Sequence, residues 1–316
     1  MNANSKIRWL YRVASLVGHI PWPLLKRLSD LIAYCWLCLN ARESRVTQRN
    51  LELTYPELSP QEHTHLHHQI IYSTVRQAFE MLHIWTHPEI ENLARLREYH
   101  GVDLYSAALA RNRGMIIVVP HFGNWELLKQ YLSDLAPLTL MYRPANSAVL
   151  DGFLQRVRGG NNVHQVRAEG MAVRHLFKVL KNGGTIVILP DQQPKIGEGV
   201  FAPFFGIEAL TMTLIQRLAE RTGATVLYAW CERISPHLEF ALHMEHADPA
   251  VADPDPLIAA TALNAGIERI ARRDPTQYQW TYKRYSLRPP DSGEHNPYEI
   301  KHQSHSIAKT LKHPDR

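Results

Sequence analysis

His121 and Glu126, in the run His121-Phe122-Gly123-Asn124-Trp125-Glu126, are the side chains of this sequence best suited to general acid–base chemistry. A carboxylate that accepts from one imidazole nitrogen fixes the tautomer and leaves the other nitrogen as a base. Five residues apart on a continuous helix, the two side chains would face different ways. A turn between them removes that objection. Asn124 is a good helix N-cap, and Glu126 would then lie in the first helical turn, where the helix dipole helps keep it ionised. A loop residue and a polar helix start explain the same pair without chemistry, so the spacing needs a scaffold to support it.

Short continuous apolar runs at residues 115–119, 185–189 and 225–230, with a further one at 138–142, read as strands covered on both faces. Helical stretches at 125–135, 148–157, 171–180 and 211–221 alternate with them, and residues 256–273 form another. This alternation predicts an α/β fold, a largely parallel central sheet flanked by helices. In such sheets functional groups gather beyond the carboxyl ends of the strands. The two strongest strands end alike, in Val119-Pro120-His121 and Leu189-Pro190-Asp191-Gln192.

The chain has 316 residues, 45% hydrophobic and 21% charged, which describes a globular protein with a sizeable core. A net charge of +5 suits a phosphate-bearing partner without naming it. No nucleic-acid motif accompanies the charge, and none is expected to bind. Three cysteines are too few for a disulfide framework. Cys35 and Cys38 form a C-x-x-C in an apolar segment with no second pair, which reads as two buried helix residues. Ser59-Pro60-Gln61-Glu62 is a capping box that opens a helix, whose His63, His65, His67 and His68 read as a solvated face. No metal site is expected.

Residues 7–39 are the most apolar long stretch, but their uncharged windows, 13–25 and 31–41, fall short of the ~20 residues that span a bilayer. No small-residue cleavage site follows, so no cleaved signal peptide is expected. Trp9, Tyr11, Trp22, Tyr34 and Trp36, with Arg42, Arg45 and Arg49 behind them, fit helices lying in a membrane interface, although two core helices would satisfy the same pattern. The expected division is a membrane-associated helical segment at 1–45, an α/β domain at 46–290 and a polar, flexible tail at 291–316.

His121-Phe122-Gly123-Asn124-Trp125-Glu126 resembles the H-x4-D/E motif of glycerolipid-type acyltransferases. The fuller resemblance is to the late acyltransferases of lipid A biosynthesis, the lauroyl/myristoyl type. It runs through Tyr142-Arg143-Pro144, Asn146, Arg156, Arg158 and Leu189-Pro190-Asp191-Gln192-Gln193. It continues through 199–206, Thr211 and 279–285, and so covers roughly residues 5–290 in order. Such sequences commonly carry a carboxylate where this one has Gln193, which leaves the acceptor's identity open.

The resemblance implies acyl transfer from acyl carrier protein to a hydroxyl of a lipid A precursor, at the cytoplasmic face of the bacterial inner membrane. His121 would be the general base and Glu126 its partner, with the donor's phosphopantetheine as the sole carrier group and no other cofactor. Arg158, with Arg156 and Arg143 as second candidates, would hold phosphate. Asp191 would orient an arginine or the substrate, or simply cap its turn. Backbone N–H groups near Gly123, or an arginine, would meet the oxyanion. Phe201, Phe204 and Phe205 suit the lining of an acyl groove, or aromatic core. An acyltransferase acting on another membrane lipid, such as the phosphatidylinositol mannoside type, and a non-catalytic lipid-binding protein are the competing readings. Acyl length, the hydroxyl used and the oligomeric state are not legible.

Overall fold

A computed structural model describes residues 2–290 and 292–299. Most of the expected tail therefore lies outside the described residues. In chain order the elements are α1 (Ala3–Gly18), α2 (Trp22–Cys38), α3 (Arg42–Thr54), α4 (Pro60–Thr86), α5 (Glu89–Leu93), β1 (Leu96–His100), α6 (Asp103–Arg111), β2 (Met115–Val118), α7 (Trp125–Leu135) and β3 (Leu138–Tyr142). There follow α8 (Ala148–Arg158), β4 (Val163–Arg167), α9 (Ala172–Lys181), β5 (Thr185–Ile188), β6 (Gly199–Phe204), β7 (Ile207–Met212), α10 (Leu214–Thr222), β8 (Thr225–Ser235), β9 (Glu239–His246) and α11 (Pro256–Arg273).

Seven strands form one sheet in the order β1-β9-β8-β2-β5-β3-β4. β8, β2, β5, β3 and β4 run parallel, while β9 is antiparallel to β8 and carries β1 alongside it. The fold is thus α/β with a mostly parallel sheet, as the alternation of patterns predicts. β6 and β7 form a separate hairpin inserted before α10. The central strands β2 and β5 are buried at every position because helices cover both faces. Leu176 and Leu180 of α9, Ile215 and Leu218 of α10 and Ile267 of α11 pack on one face, against Ile116, Val118 and Ile188. Tyr105 of α6 and Leu128 and Leu132 of α7 pack on the other, against Met115 and Ile117.

α4 starts from the expected capping box, with Ser59 and Glu62 each accepting from the other's backbone N–H. It then crosses the carboxyl ends of the strands. Its Ile70 belongs to one core and its Ile84 to the other, while Gln77 between them donates to the Gly123 carbonyl. The buried Glu80 fastens the crossing by pairing with Arg233 of β8, which also donates to Ser73 at 3.0 Å. α2 packs on α4 through Leu25, Ala33, Ile71 and Val75. α1 packs on α8 through Ala14, Phe153 and Val157. α3 runs unbroken through residues 45 and 46, the boundary expected from sequence.

No helix among the described residues is long and apolar enough to cross a membrane. Cys35 and Cys38 are free thiols exposed on α2, which corrects the expected buried pair. The helix turns them toward the outer side, on the stripe that holds Leu24, Leu28 and Leu31, while its inner side is filled by Leu25 and Ala33.

The Glu80–Arg233 pair sets a stability test. Arg233→Met should leave a carboxylate buried without its partner and cost about 3–5 kcal/mol. Urea unfolding should show this as a lowered midpoint, largely restored in the double variant Glu80→Leu/Arg233→Met.

Candidate active site

β2 and β5 are in register, with Val118 opposite Ile188. Three residues beyond each of these stand His121 and Asp191. Pro120 and Pro190 carry no N–H and so end the ladder at the same level on both strands. Equal offsets from a registered pair bring the two side chains together. His121 Nδ1 lies 2.6 Å from Asp191 Oδ1, and the His121 backbone N–H donates to Oδ2 at 2.8 Å. Burial opposes charge on Asp191, but the His121 imidazole and these hydrogen bonds outweigh it and hold the carboxyl below its ordinary value. An anionic acceptor at Nδ1 requires Nδ1–H. The neutral imidazole therefore carries a bare lone pair on Nε2, and the ring remains partly open to solvent.

This corrects the expected partnership. Glu126 does not reach His121. It is fully buried in the first turn of α7, where its Oε1 accepts from Arg158 Nε at 2.8 Å. The cause is the turn itself. Gly123 adopts φ +56°, and its backbone fits so closely that an added Cβ would stand 2.0 Å from the Cys231 carbonyl. The chain thus swings inward before α7 begins, with the Asn124 side chain capping Leu127 N–H at 3.0 Å. His121 is left facing the β5 end and Glu126 the α8 side.

Arg158 is stacked over Trp125, 4.6 Å from the ring centroid, so its guanidinium is held on two sides. Lys129 is buried beside it, with Nζ 3.4 Å from the Arg158 carbonyl. Desolvation pulls the Lys129 pKa down and the Glu126 charge opposes this. Arg156, two residues earlier on α8, points away and lies over the Tyr11 ring at 4.4 Å. Arg143 follows the end of β3, exposed, with Nη2 3.4 Å from the Gln193 carbonyl. His121 and Asp191 therefore pair beyond the ends of β2 and β5, Glu126 and Arg158 pair between α7 and the end of α8, Arg143 stands beside Gln193, and Arg156 lies against α1.

The backbone donors expected near Gly123 are spent. The N–H groups of Phe122, Gly123 and Asn124 donate to the carbonyls of Pro120, Gln277 and Cys231 at 2.7, 3.1 and 2.8 Å. Phe204 and Phe205 are core residues, packed with Tyr278, Trp280 and Tyr55 rather than lining an open groove, and Phe201 is half-buried on the hairpin. Gln193 turns its side-chain oxygen to the Leu287 N–H at 3.1 Å and so ties down the C-terminal segment. Gln192 and Gln279 carry no role that their sequence positions alone reveal. Gln192 Nε2 lies 3.3 Å from His121 Nε2 and 3.1 Å from Gln279 Oε1. The signal for Gln192 was its place directly after Asp191; Gln279 gave none beyond its place in a matching segment.

Residues 3–286 match the family described as bacterial lipid A biosynthesis acyltransferase. The chain belongs to this family. Among its relatives, the lipid A biosynthesis lauroyltransferase of Escherichia coli (strain K12) is 27% identical over 285 residues, 90% of this chain and 92% of the relative. The palmitoleoyltransferase of the same strain is 26% identical over 277 residues, 85% and 87% of the two chains. A lipid A biosynthesis acyltransferase of Haemophilus influenzae is 22% identical over 271 residues, 84% and 82%. The late-acyltransferase resemblance carried by the motifs thus holds along nearly the whole chain, and the protein is an acyltransferase of lipid A biosynthesis.

The acyltransferase's two carboxylates have separable effects. Asp191→Asn presents an amide to Nδ1, disfavours the productive tautomer and should lower kcat by about 10²–10⁴-fold. Glu126→Ala should leave the His121 tautomer, read by ¹⁵N chemical shifts, unchanged while releasing Arg158. A tautomer change in Glu126→Ala would contradict this division. The depressed Asp191 pKa contributes stability above the ordinary carboxylate range. That contribution is lost only as pH falls below about 3.9, an acid-unfolding component that Asp191→Asn should lack.

Proposed function

We propose that this acyltransferase moves a fatty acyl chain from the thioester of acyl carrier protein to a hydroxyl of a lipid A precursor, at the cytoplasmic face of the inner membrane. The observation that carries the mechanism is His121 fixed by Asp191 through Nδ1, with an unprotonated Nε2 facing the partly open site. A free hydroxyl is a weak nucleophile at neutral pH and needs a base within reach. The acceptor hydroxyl gives its proton to Nε2 as its oxygen bonds to the thioester carbon, and the carbonyl π pair moves to oxygen. Collapse of this tetrahedral species breaks the carbon–sulfur bond. The departing sulfur takes the proton back from Nε2, leaving an ester and a free thiol. Asp191 stays ionised and stabilises the transient imidazolium. The donor's phosphopantetheine supplies the only carrier chemistry this sequence of steps uses.

Arg158 suits the phosphate of such an acceptor. Nε is engaged by Glu126, and no other hydrogen bond holds the guanidinium among the described residues, so its terminal nitrogens are available. The membrane reading rests on α1 and α2. Trp9 and Leu16 on α1 and Leu24, Leu28, Leu31 and Tyr34 on α2 are exposed, with Arg8, Arg12 and Arg27 among them. Apolar side chains one helical turn apart with cations beside them fit a helix lying in an anionic lipid interface.

With purified acyltransferase, acyl carrier protein thioester and a tetra-acylated, sugar-bearing precursor, mass spectrometry should show one acyl chain added to the lipid. The absence of that product would refute the proposal. Arg158→Lys loses the fork and should raise KM for the lipid by about tenfold while leaving KM for the thioester unchanged. Leu28→Glu/Leu31→Glu should weaken sedimentation with anionic vesicles without changing the helical circular dichroism.

A further inference from the structure

Transfer through a tetrahedral species needs a donor for the oxyanion, and the expected one is missing. The backbone N–H groups of residues 121 to 124 are all spent: His121 donates to Asp191, Phe122 to Pro120, Gly123 to Gln277 and Asn124 to Cys231. The Asn124 side-chain amide has an unused N–H, but it is fully buried at the start of α7. Arg158 lies on the α8 side with Nε on Glu126, and its terminal nitrogens are the ones assigned above to the acceptor's phosphate.

We infer that the side-chain amide of Gln192 is the oxyanion donor of this acyltransferase, held in place by Gln279. The inference rests on the reading of His121 as the base. Gln192 Nε2 lies 3.3 Å from His121 Nε2 and 3.1 Å from Gln279 Oε1, so one amide touches both the base and a fixed acceptor. The orientation of the amide follows from charge. Asp191 takes Nδ1–H, the bare Nε2 requires a donor, and only the NH2 end of Gln192 supplies one. Gln279 is itself registered to the base, because its backbone N–H donates to the His121 carbonyl at 3.0 Å.

An acceptor hydroxyl that hydrogen-bonds to Nε2 displaces this amide contact. The freed N–H then stands beside the attacked carbonyl, within about 3 Å of where its oxygen becomes negative. No bond to Gln192 forms or breaks. The oxygen gains the carbonyl π pair, Gln192 donates a hydrogen bond to it, and the pair returns to carbon as the thiolate leaves. An amide does not titrate, so this donor never competes with the base for the proton.

The test uses the full-length enzyme with acyl carrier protein thioester and the lipid A precursor, with His121→Ala as control. Gln192→Met should lower kcat by about 10²–10³-fold with both KM values within about threefold. Gln279→Leu, which frees the amide without removing it, should cost about tenfold in kcat. Gln192→Glu puts a carboxylate beside the imidazole and favours its charged form, so the acid limb of the kcat–pH profile should move to higher pH. Gln192→Met with kcat within about threefold of wild type, or with KM alone altered, would overturn the inference. A wild-type enzyme that forms no product would sink the proposed donor and base instead. Should thermal unfolding show that Gln192→Met destabilises the fold, Gln192→Asn, which keeps an amide but withdraws it by one methylene, carries the same expectation.

Discussion

Two N–H groups of one histidine converge on one buried carboxylate, and much of the site depends on that contact. Asp191 is almost fully enclosed, so its charge persists only while His121 satisfies it. The bond does four things at once. It joins the ends of β2 and β5, sets the imidazole tautomer, aims Nε2 outward and fixes the level at which the next residue, Gln192, meets the ring. The segment 277–279 braces the same loop from its other side, with Gly123 N–H on the Gln277 carbonyl and Gln279 N–H on that of His121. Gln77 of α4 holds it from above.

The second carboxylate serves a different partner. Glu126 sits within the same short motif, yet it works on α8, where Arg158 is clamped between it and the face of Trp125. Lys129 is buried alongside, where desolvation opposes its charge and the charges of Glu126 and Glu89 support it. The motif thus splits its labour at Gly123. The residue before the turn addresses Asp191, and the carboxylate after it addresses an arginine.

The sheet's core was legible because parallel strands buried on both faces leave apolar runs; the strands at 138–142 and the helix at 256–273 emerge with the expected limits. β1, β4 and β9 were not legible for the opposite reason. β1 buries only Leu96 and β4 is half-exposed at an edge, so neither forms a run, while β9 breaks its apolar residues with His243 and Glu245 and keeps no regular period. The β6–β7 hairpin lay hidden because a phenylalanine-rich loop and a hairpin core have the same composition. At the site, His121, Asp191 and Arg158 could be named from sequence, but their pairings depended on register. The matching Pro120 and Pro190 held that information: equal distances past two adjacent parallel strands place His121 opposite Asp191, whereas spacing along the chain pointed to Glu126.

The contact between α1 and α8 has a mechanical consequence. Gly152 lets Ile7 come so close that a Cβ there would lie 2.4 Å from its Cδ1, and Tyr11 lies under Arg156 at 4.4 Å. The helix that exposes Trp9 and Leu16 is therefore geared to the helix that ends in Arg158. A bilayer that took up those side chains would press on a lever whose short arm ends at the guanidinium. The exposed side chains of α1 and the guanidinium at the end of α8 thus belong to one pair of packed helices.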